Sequence, residues 1–175
     1  MITIVEHNPD WASQFEQEAK VLKSTLGAAI VNLHHIGSTS VPGLLAKPII
    51  DMLLEATDLQ SLDSKTTEME AIGYEVMGEF GIPGRRYFKK GGESRTHHVH
   101  SFVSGDANLT RHLAFKEYLI HHKDIADAYG LLKAKIVKTC NDDMGQYCDA
   151  KDPFIKLHEP KAVKWFSEAY VIPTK

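Results

Sequence analysis

Apolar positions in the first 27 residues recur every three or four: Trp11, Phe15, Ala19, Leu22 and Leu26 follow Asn8-Pro9-Asp10. This spacing predicts an amphipathic helix capped by Asp10 and ended at Gly27. The pattern then becomes that of strands, at Ile30 to Ile36 and at Pro48 to Glu55, the second nearly all apolar except for Asp51 and Glu55. A helical period returns from about Asp58 to Ile72 and is stopped by Gly73. Tyr74 to Glu79, Arg85 to Lys90 and Thr96 to Ser104 read as three more strands, separated by Gly-Ile-Pro-Gly and Gly-Gly turns. From Asn108 onward Leu109, His112, Leu113, Phe115 and Leu119 form one helical stripe, and Ile125, Ala128, Tyr129, Leu132 and Ile136 another, joined at His121-His122-Lys123-Asp124. Asp152-Pro153 marks a fresh helix start, Pro160 a kink or restart, and Trp165, Phe166 and Tyr170 supply apolar anchors near the end. The expectation is an α+β fold in one domain over residues 1–175: a mixed sheet of about five strands with flanking helices and a helical C-terminal tail.

Several of these elements carry candidate chemistry. Gly37-Ser38-Thr39-Ser40 reads as a turn that opens a short helix after the first strand. Free backbone N–H groups at such a turn favour a phosphate, and Gly37 lets a ligand approach the main chain. Three successive hydroxyls, on Ser38, Thr39 and Ser40, add hydrogen-bonding capacity. Asp51 lies in the middle of the apolar second strand, where a carboxylate is costly unless it is hydrogen-bonded, paired or holding a cation. It is the leading candidate for a metal ligand; the alternative is a carboxylate that orders neighbouring loops by accepting hydrogen bonds. Glu55 shares its face, but at about 13 Å along the strand it cannot chelate the same ion.

Strand alternation puts His98 and His100 on one side and His97 and Val99 on the other. A His-x-His pair can ligate one metal, and imidazoles favour Zn²⁺, Mn²⁺ or Ni²⁺ over Mg²⁺. Equally open is a pair that binds phosphate or hydrogen-bonds Asp51. Arg85 and Arg86, interleaved with Tyr87 and Phe88, could fork onto phosphate or form a solvated hairpin edge. Lys47, at the mouth of the Asp51 strand, could neutralise phosphate.

The run His35-Ile36-Gly37-Ser38-Thr39-Ser40-Val41-Pro42-Gly43, followed by Leu45-Ala46-Lys47-Pro48-Ile49-Ile50-Asp51, resembles the signature of the GrpB-like family of the nucleotidyltransferase superfamily. That superfamily's pattern joins Gly-Gly or Gly-Ser to a strand bearing Asp-x-Asp or Asp-x-Glu. Gly37, Ser38 and Asp51 match it, whereas the second acid is replaced by Leu53. Further matches run through Gly73-Tyr74, Gly84 to Phe88, Thr96 to His100, Tyr129 with Leu132-Lys133, and Tyr147 with Lys151. The family usually shows Phe-Arg-Asp-Tyr-Leu-Arg where this chain has Phe115-Lys116-Glu117-Tyr118-Leu119-Ile120. The resemblance implies transfer of a nucleoside monophosphate from a nucleoside triphosphate to a small-molecule acceptor, with release of pyrophosphate. Gly37 and Ser38 would hold the β- and γ-phosphates and Asp51 would anchor a divalent metal. His98 or His100 would complete that site or serve as acceptor base, with Lys133 and Lys151 facing the substrate. Two other functions stay open: a non-catalytic nucleotide- or anion-binding protein, and a metal-dependent hydrolase using Asp51 with His98 and His100.

Composition narrows this little. A net charge of −3 gives no overall basic surface, so nucleic-acid binding is disfavoured. No apolar run is long enough to cross a bilayer and the start lacks a leader pattern, which together predict a cytoplasmic protein. Cys140 and Cys148 are expected as free thiols. The sequence does not specify an oligomeric state.

Overall fold

The computed structural model describes residues 1–169, so Tyr170, expected to anchor the last helix, lies outside the described residues. Helix α1 (Asp10–Leu26) buries Trp11, Phe15, Ala19, Leu22 and Leu26, the stripe that its period predicts. Its start is built differently. Pro9 occupies the residue before the helix, so Asp10 is helical rather than the cap, and Asn8 accepts the Asp10 N–H through its side-chain oxygen at 2.9 Å.

Five strands, β1 (Ile30–Ile36), β2 (Ile50–Ala56), β3 (Tyr74–Val76), β4 (Arg86–Lys90) and β5 (His97–Val103), form one sheet in the order β1-β2-β5-β4-β3. β2 runs parallel to β5 and every other pair is antiparallel, so the sheet is mixed. β2 starts at Ile50 instead of Pro48, since a proline has no N–H for the ladder. β3 stops at Val76 instead of Glu79, because the chain turns away at Gly78 (φ +65°) after Met77 and Gly78 bond to Tyr87.

Alternation divides the sheet into two faces. Leu33, Ile50, Met52, Leu54, Phe88 and Val99 pack with the stripe of α1 in one core. On the opposite face Ile36, Leu53 and Phe102 pack against Leu109 of helix α4 (Ala107–His121), and the polar members of that face, Asp51, His98 and His100, are left beside this smaller core. β2 and β5 are in register, so Asp51 pairs with His98 and Leu53 with His100.

The helix expected from Asp58 to Ile72 is two short ones, α2 (Leu59–Asp63) and α3 (Thr66–Ala71). Local hydroxyls explain the break: Ser64 donates to the Ser61 carbonyl and Thr66 to the Asp63 carbonyl, competing with the helix ladder. After α4 come α5 (Lys123–Val137) and α6 (Met144–Ala169). No helix starts at Asp152-Pro153. α6 begins nine residues earlier and continues through both Pro153 and Pro160. Asp152 pairs with Lys156 at 2.6 Å instead of capping. Packing carries the helix through its prolines: Phe154 stacks on Tyr129 at 4.7 Å, and Ala162, Trp165 and Phe166 lie against Ala114 and Tyr118 of α4. No helix among the described residues is long and apolar enough to cross a membrane.

Candidate functional site

The polar residues left on the α4 side of the sheet lie in a cavity of about 540 Å³. Its floor is Asp51. The carboxylate oxygen Oδ1 accepts a hydrogen bond from His98 Nδ1 at 3.1 Å and stands 3.5 Å from His100 Nε2. A carboxylate only accepts, so the His98 nitrogen in that bond donates, and a metal held there would take the place of its proton. Burial alone would raise the Asp51 pKa, but the hydrogen bonds and charge of His100 and His98 hold it well below the usual carboxylate range. His97 faces away and bonds Thr96 at 2.8 Å, as the alternation requires.

Gly37 is tied to this acid by space. Its φ is +72°, and a Cβ there would come within 2.7 Å of Asp51 Oδ2 and 3.0 Å of Asp51 Cβ. The glycine of the turn therefore admits the carboxylate of the next strand to the backbone, a role that its place in the sequence did not disclose. Ser38 faces the cavity, and its hydroxyl accepts Lys133 Nζ at 2.6 Å. Thr39 also lines the cavity but bonds buried His35 at 2.9 Å, and Ser40 donates back to the Gly37 carbonyl at 2.6 Å.

Three lysines from separate parts of the chain converge beside Ser38. Lys47 and Lys151 lie over the Tyr147 ring at 5.0 and 4.9 Å, and Lys133 lies over the Tyr129 ring at 4.5 Å. Lys133 is 2 % exposed and also donates to the Leu45 carbonyl. Burial, with Lys151 and Lys47 beside it, pushes its pKa down to about 7, although Asp51 opposes the shift. Burial and the neighbouring Lys47 likewise lower Lys151. Among the described residues none of the three is paired with a carboxylate. Like charges gathered around one end of a cavity make a site for an anion.

Arg85 and Arg86 are not brought there. Arg85 is buried, donating to the carbonyls of Glu79 and Phe80 at 3.0 and 2.6 Å. Arg86 forks onto Asp63 at 2.7 and 3.0 Å. Both charges are used within the protein. The position two after Asp51 is Leu53, 0 % exposed and part of the small core, and Glu55 accepts a bond from Ser104 at the far end of β2. No second acid joins Asp51 from its own strand.

Several further residues line the cavity that were not among the site candidates, although Arg111, His112 and Lys116 fall in the part of the chain that resembles the family. Glu159 of α6 pairs with Arg111 of α4 at 3.1 Å across the wall opposite the sheet. Arg111 also touches His112, whose pKa burial and that arginine push down to about 3. Lys116 reaches back to the His35 carbonyl at 2.8 Å. Phe80 lines the cavity from the turn between β3 and β4.

The chemistry of Asp51, His98 and His100 suits a metal ion. One ligand atom from each lies within 4.8 Å of the others. The two closest separations, 3.1 and 3.5 Å, are near those between donors about 2.0–2.2 Å from a common first-row ion. Two nitrogens and one oxygen favour Zn²⁺ or Mn²⁺ over Mg²⁺.

Known proteins resemble this chain in sequence or in fold. The UPF0157 protein YqkA of Bacillus subtilis is 44% identical over 164 residues, which cover 94% of this chain and 48% of YqkA, so the chain spans about half the length of that relative. The UPF0157 protein BH1888 of Halalkalibacterium halodurans is 35% identical over 156 residues, 89% of this chain and 79% of its own. Among solved structures, conserved protein GrpB from Enterococcus faecalis superposes with a TM-score of 0.90 at 45% identity, covering 94% of this chain and 99% of that one. The Cid1 poly(U) polymerase with MgGTP bound superposes with a TM-score of 0.53 at 14% identity, over 75% of this chain and 44% of its own, a likeness of fold alone. The profile of the GrpB protein family matches residues 1–161, and the chain belongs to that family, on the α+β fold of the nucleotidyltransferases.

Proposed function

We propose that the protein is a metal-dependent nucleotidyltransferase that moves a nucleoside monophosphate from a nucleoside triphosphate to a small-molecule acceptor. The observation that carries this reading is the convergence, in one cavity, of the Asp51-His98-His100 cluster with the unpaired lysines around Ser38. The cavity volume, about 540 Å³, is in the range that holds a cofactor-sized ligand. In this reading Lys47, Lys133, Lys151 and Ser38 bind the β- and γ-phosphates, and Gly37 keeps Asp51 close to the backbone of the turn. Asp51, His98 and His100 hold the divalent ion, which when bound polarises a phosphoryl oxygen and offsets charge on it. The acceptor oxygen bonds to the α-phosphorus as the bond to the pyrophosphate oxygen breaks, and the acceptor's proton leaves to water. The lysines then face the pyrophosphate as it gains charge, which is where preorganised cations stabilise a transition state most.

The test is calorimetric titration of α,β-methylene ATP with Mn²⁺ into the parent protein and four variants. Asp51→Asn, His98→Ala and His100→Ala should each weaken metal-dependent binding at least tenfold, while His97→Ala, whose ring lies on the opposite face, should leave it within twofold. Equal metal affinity in the parent and Asp51→Asn proteins contradicts the assignment. The same arms separate two competing readings. Anion binding that ignores metal and Asp51 points to a binding module, and metal binding without nucleotide points to a hydrolase.

A further inference from the structure

We propose that Phe80, backed by Tyr87, is the acceptor subsite, and that the acceptor carries a planar ring which stacks on Phe80. The proposal rests on nucleotidyl transfer being the reaction, and it deepens that reading by naming the acceptor's chemistry.

Phe80 lines the cavity and is 60 % exposed. Its backbone is also held where a bulky residue is strained, at φ +45°. Such a conformation is costly and persists only when its surroundings over-determine it. They do so here. Buried Arg85 clamps the carbonyls of Glu79 and Phe80, and the Glu79 carboxylate accepts the Gly84 N–H at 2.6 Å. A buried cation thus holds the backbone from which an exposed aromatic ring lines the cavity.

The ring is one end of a stack that leads to the proposed metal ligands. Phe80 lies on Tyr87 with centroids 5.4 Å apart and planes at 30°. Tyr87 in turn stacks on His100 at 5.2 Å and 29°. A planar group on Phe80 would therefore be held at a fixed height relative to Asp51 and His98.

The direction of the reaction says which substrate that group belongs to. In-line displacement puts the entering oxygen opposite the leaving oxygen. In the sheet order β1-β2-β5-β4-β3, Ser38 and Lys47 flank β1 and β2, Asp51 and the histidine pair occupy β2 and β5, and Tyr87 is on β4. A pyrophosphate leaving toward Ser38 and the lysines requires a nucleophile arriving from the β4 side. Phe80 stands on that side.

The experiment is calorimetry on the whole protein saturated with α,β-methylene ATP and Mn²⁺, a donor that cannot transfer. Adenosine, indole and phenol serve as planar probes and glycerol as the ringless comparator. The parent should bind at least one planar probe more tightly than glycerol. Phe80→Ala and Phe80→Leu should weaken that binding about tenfold, the scale of one stacking contact, whereas Phe80→Tyr retains it. Donor affinity should stay within twofold in all three variants. The Leu variant keeps apolar bulk without a flat face, so equal binding by it and the parent overturns stacking. No planar probe binding to the parent overturns the subsite, and a parallel loss of donor affinity moves the ring to the donor's nucleobase. Failure of the parent to bind the donor analogue overturns nucleotidyl transfer itself, a result distinct from these.

Discussion

Lys133 shows how burial converts an ordinary lysine into a ligand-dependent charge. Its amine is pushed down to about 7 by burial and by Lys151 and Lys47, while two of its hydrogens are committed to Ser38 and Leu45. An incoming phosphate favours the charged form, so the bound state has the higher pKa. The part of triphosphate affinity owed to Lys133 is then complete below pH 7 and falls as pH rises above it, by up to about tenfold per unit until the bound-state pKa is reached. Calorimetry between pH 6 and 9 should show this slope in the parent, with proton uptake near pH 8, and a flat, weaker profile in Lys133→Met. An equal slope in both would assign the titration elsewhere. At this scale the sequence was legible where one strand or one turn sets the geometry: the places of Ser38 and Asp51 and the shared face of His98 and His100 needed no tertiary knowledge, whereas the contact of Gly37 with Asp51 did. Arg85 and Arg86 were not legible, because a basic hairpin reads the same whether its charges face a ligand or, as here, Glu79, Phe80 and Asp63.

At the scale of elements, the hydrophobic period identified α1 and the order of the five strands along the chain, and failed where side chains overrule it. Ser64 and Thr66 cut the expected helix in two by bonding carbonyls of the preceding turn. The prolines of α6 read as a start and a kink because each lacks the N–H of an interior position, yet the helix spans both. That continuity leaves two backbone carbonyls of the helix without their usual donor. Pro160 is exposed, away from the cavity lining. Pro160→Ala should stabilise the protein by about 1–3 kcal/mol, given the cost of proline inside a helix. Denaturant unfolding checks it, with nucleotide binding expected to be unchanged. A loss of stability would mean that the ring makes packing contacts worth more than the restored hydrogen bond.

At the scale of the molecule, a chain with a net charge of −3 holds a cluster of lysines facing one cavity. Bulk charge could not reveal it, because Lys47, Lys133 and Lys151 meet only once α5 and α6 fold back over the turn after β1. The same is true of Phe80, Lys116 and Glu159, which reach the cavity from three unrelated segments. The account as a whole stands on the metal between Asp51, His98 and His100 lying next to a triphosphate on those lysines. A crystal grown with Mn²⁺ and α,β-methylene ATP, measured for anomalous scattering from manganese, tests this most directly. The account predicts an anomalous peak within about 2.3 Å of Asp51 and both histidines, with the γ-phosphate against Lys133 and Lys151. Nucleotide bound there with no manganese at Asp51, or manganese held elsewhere, would contradict it.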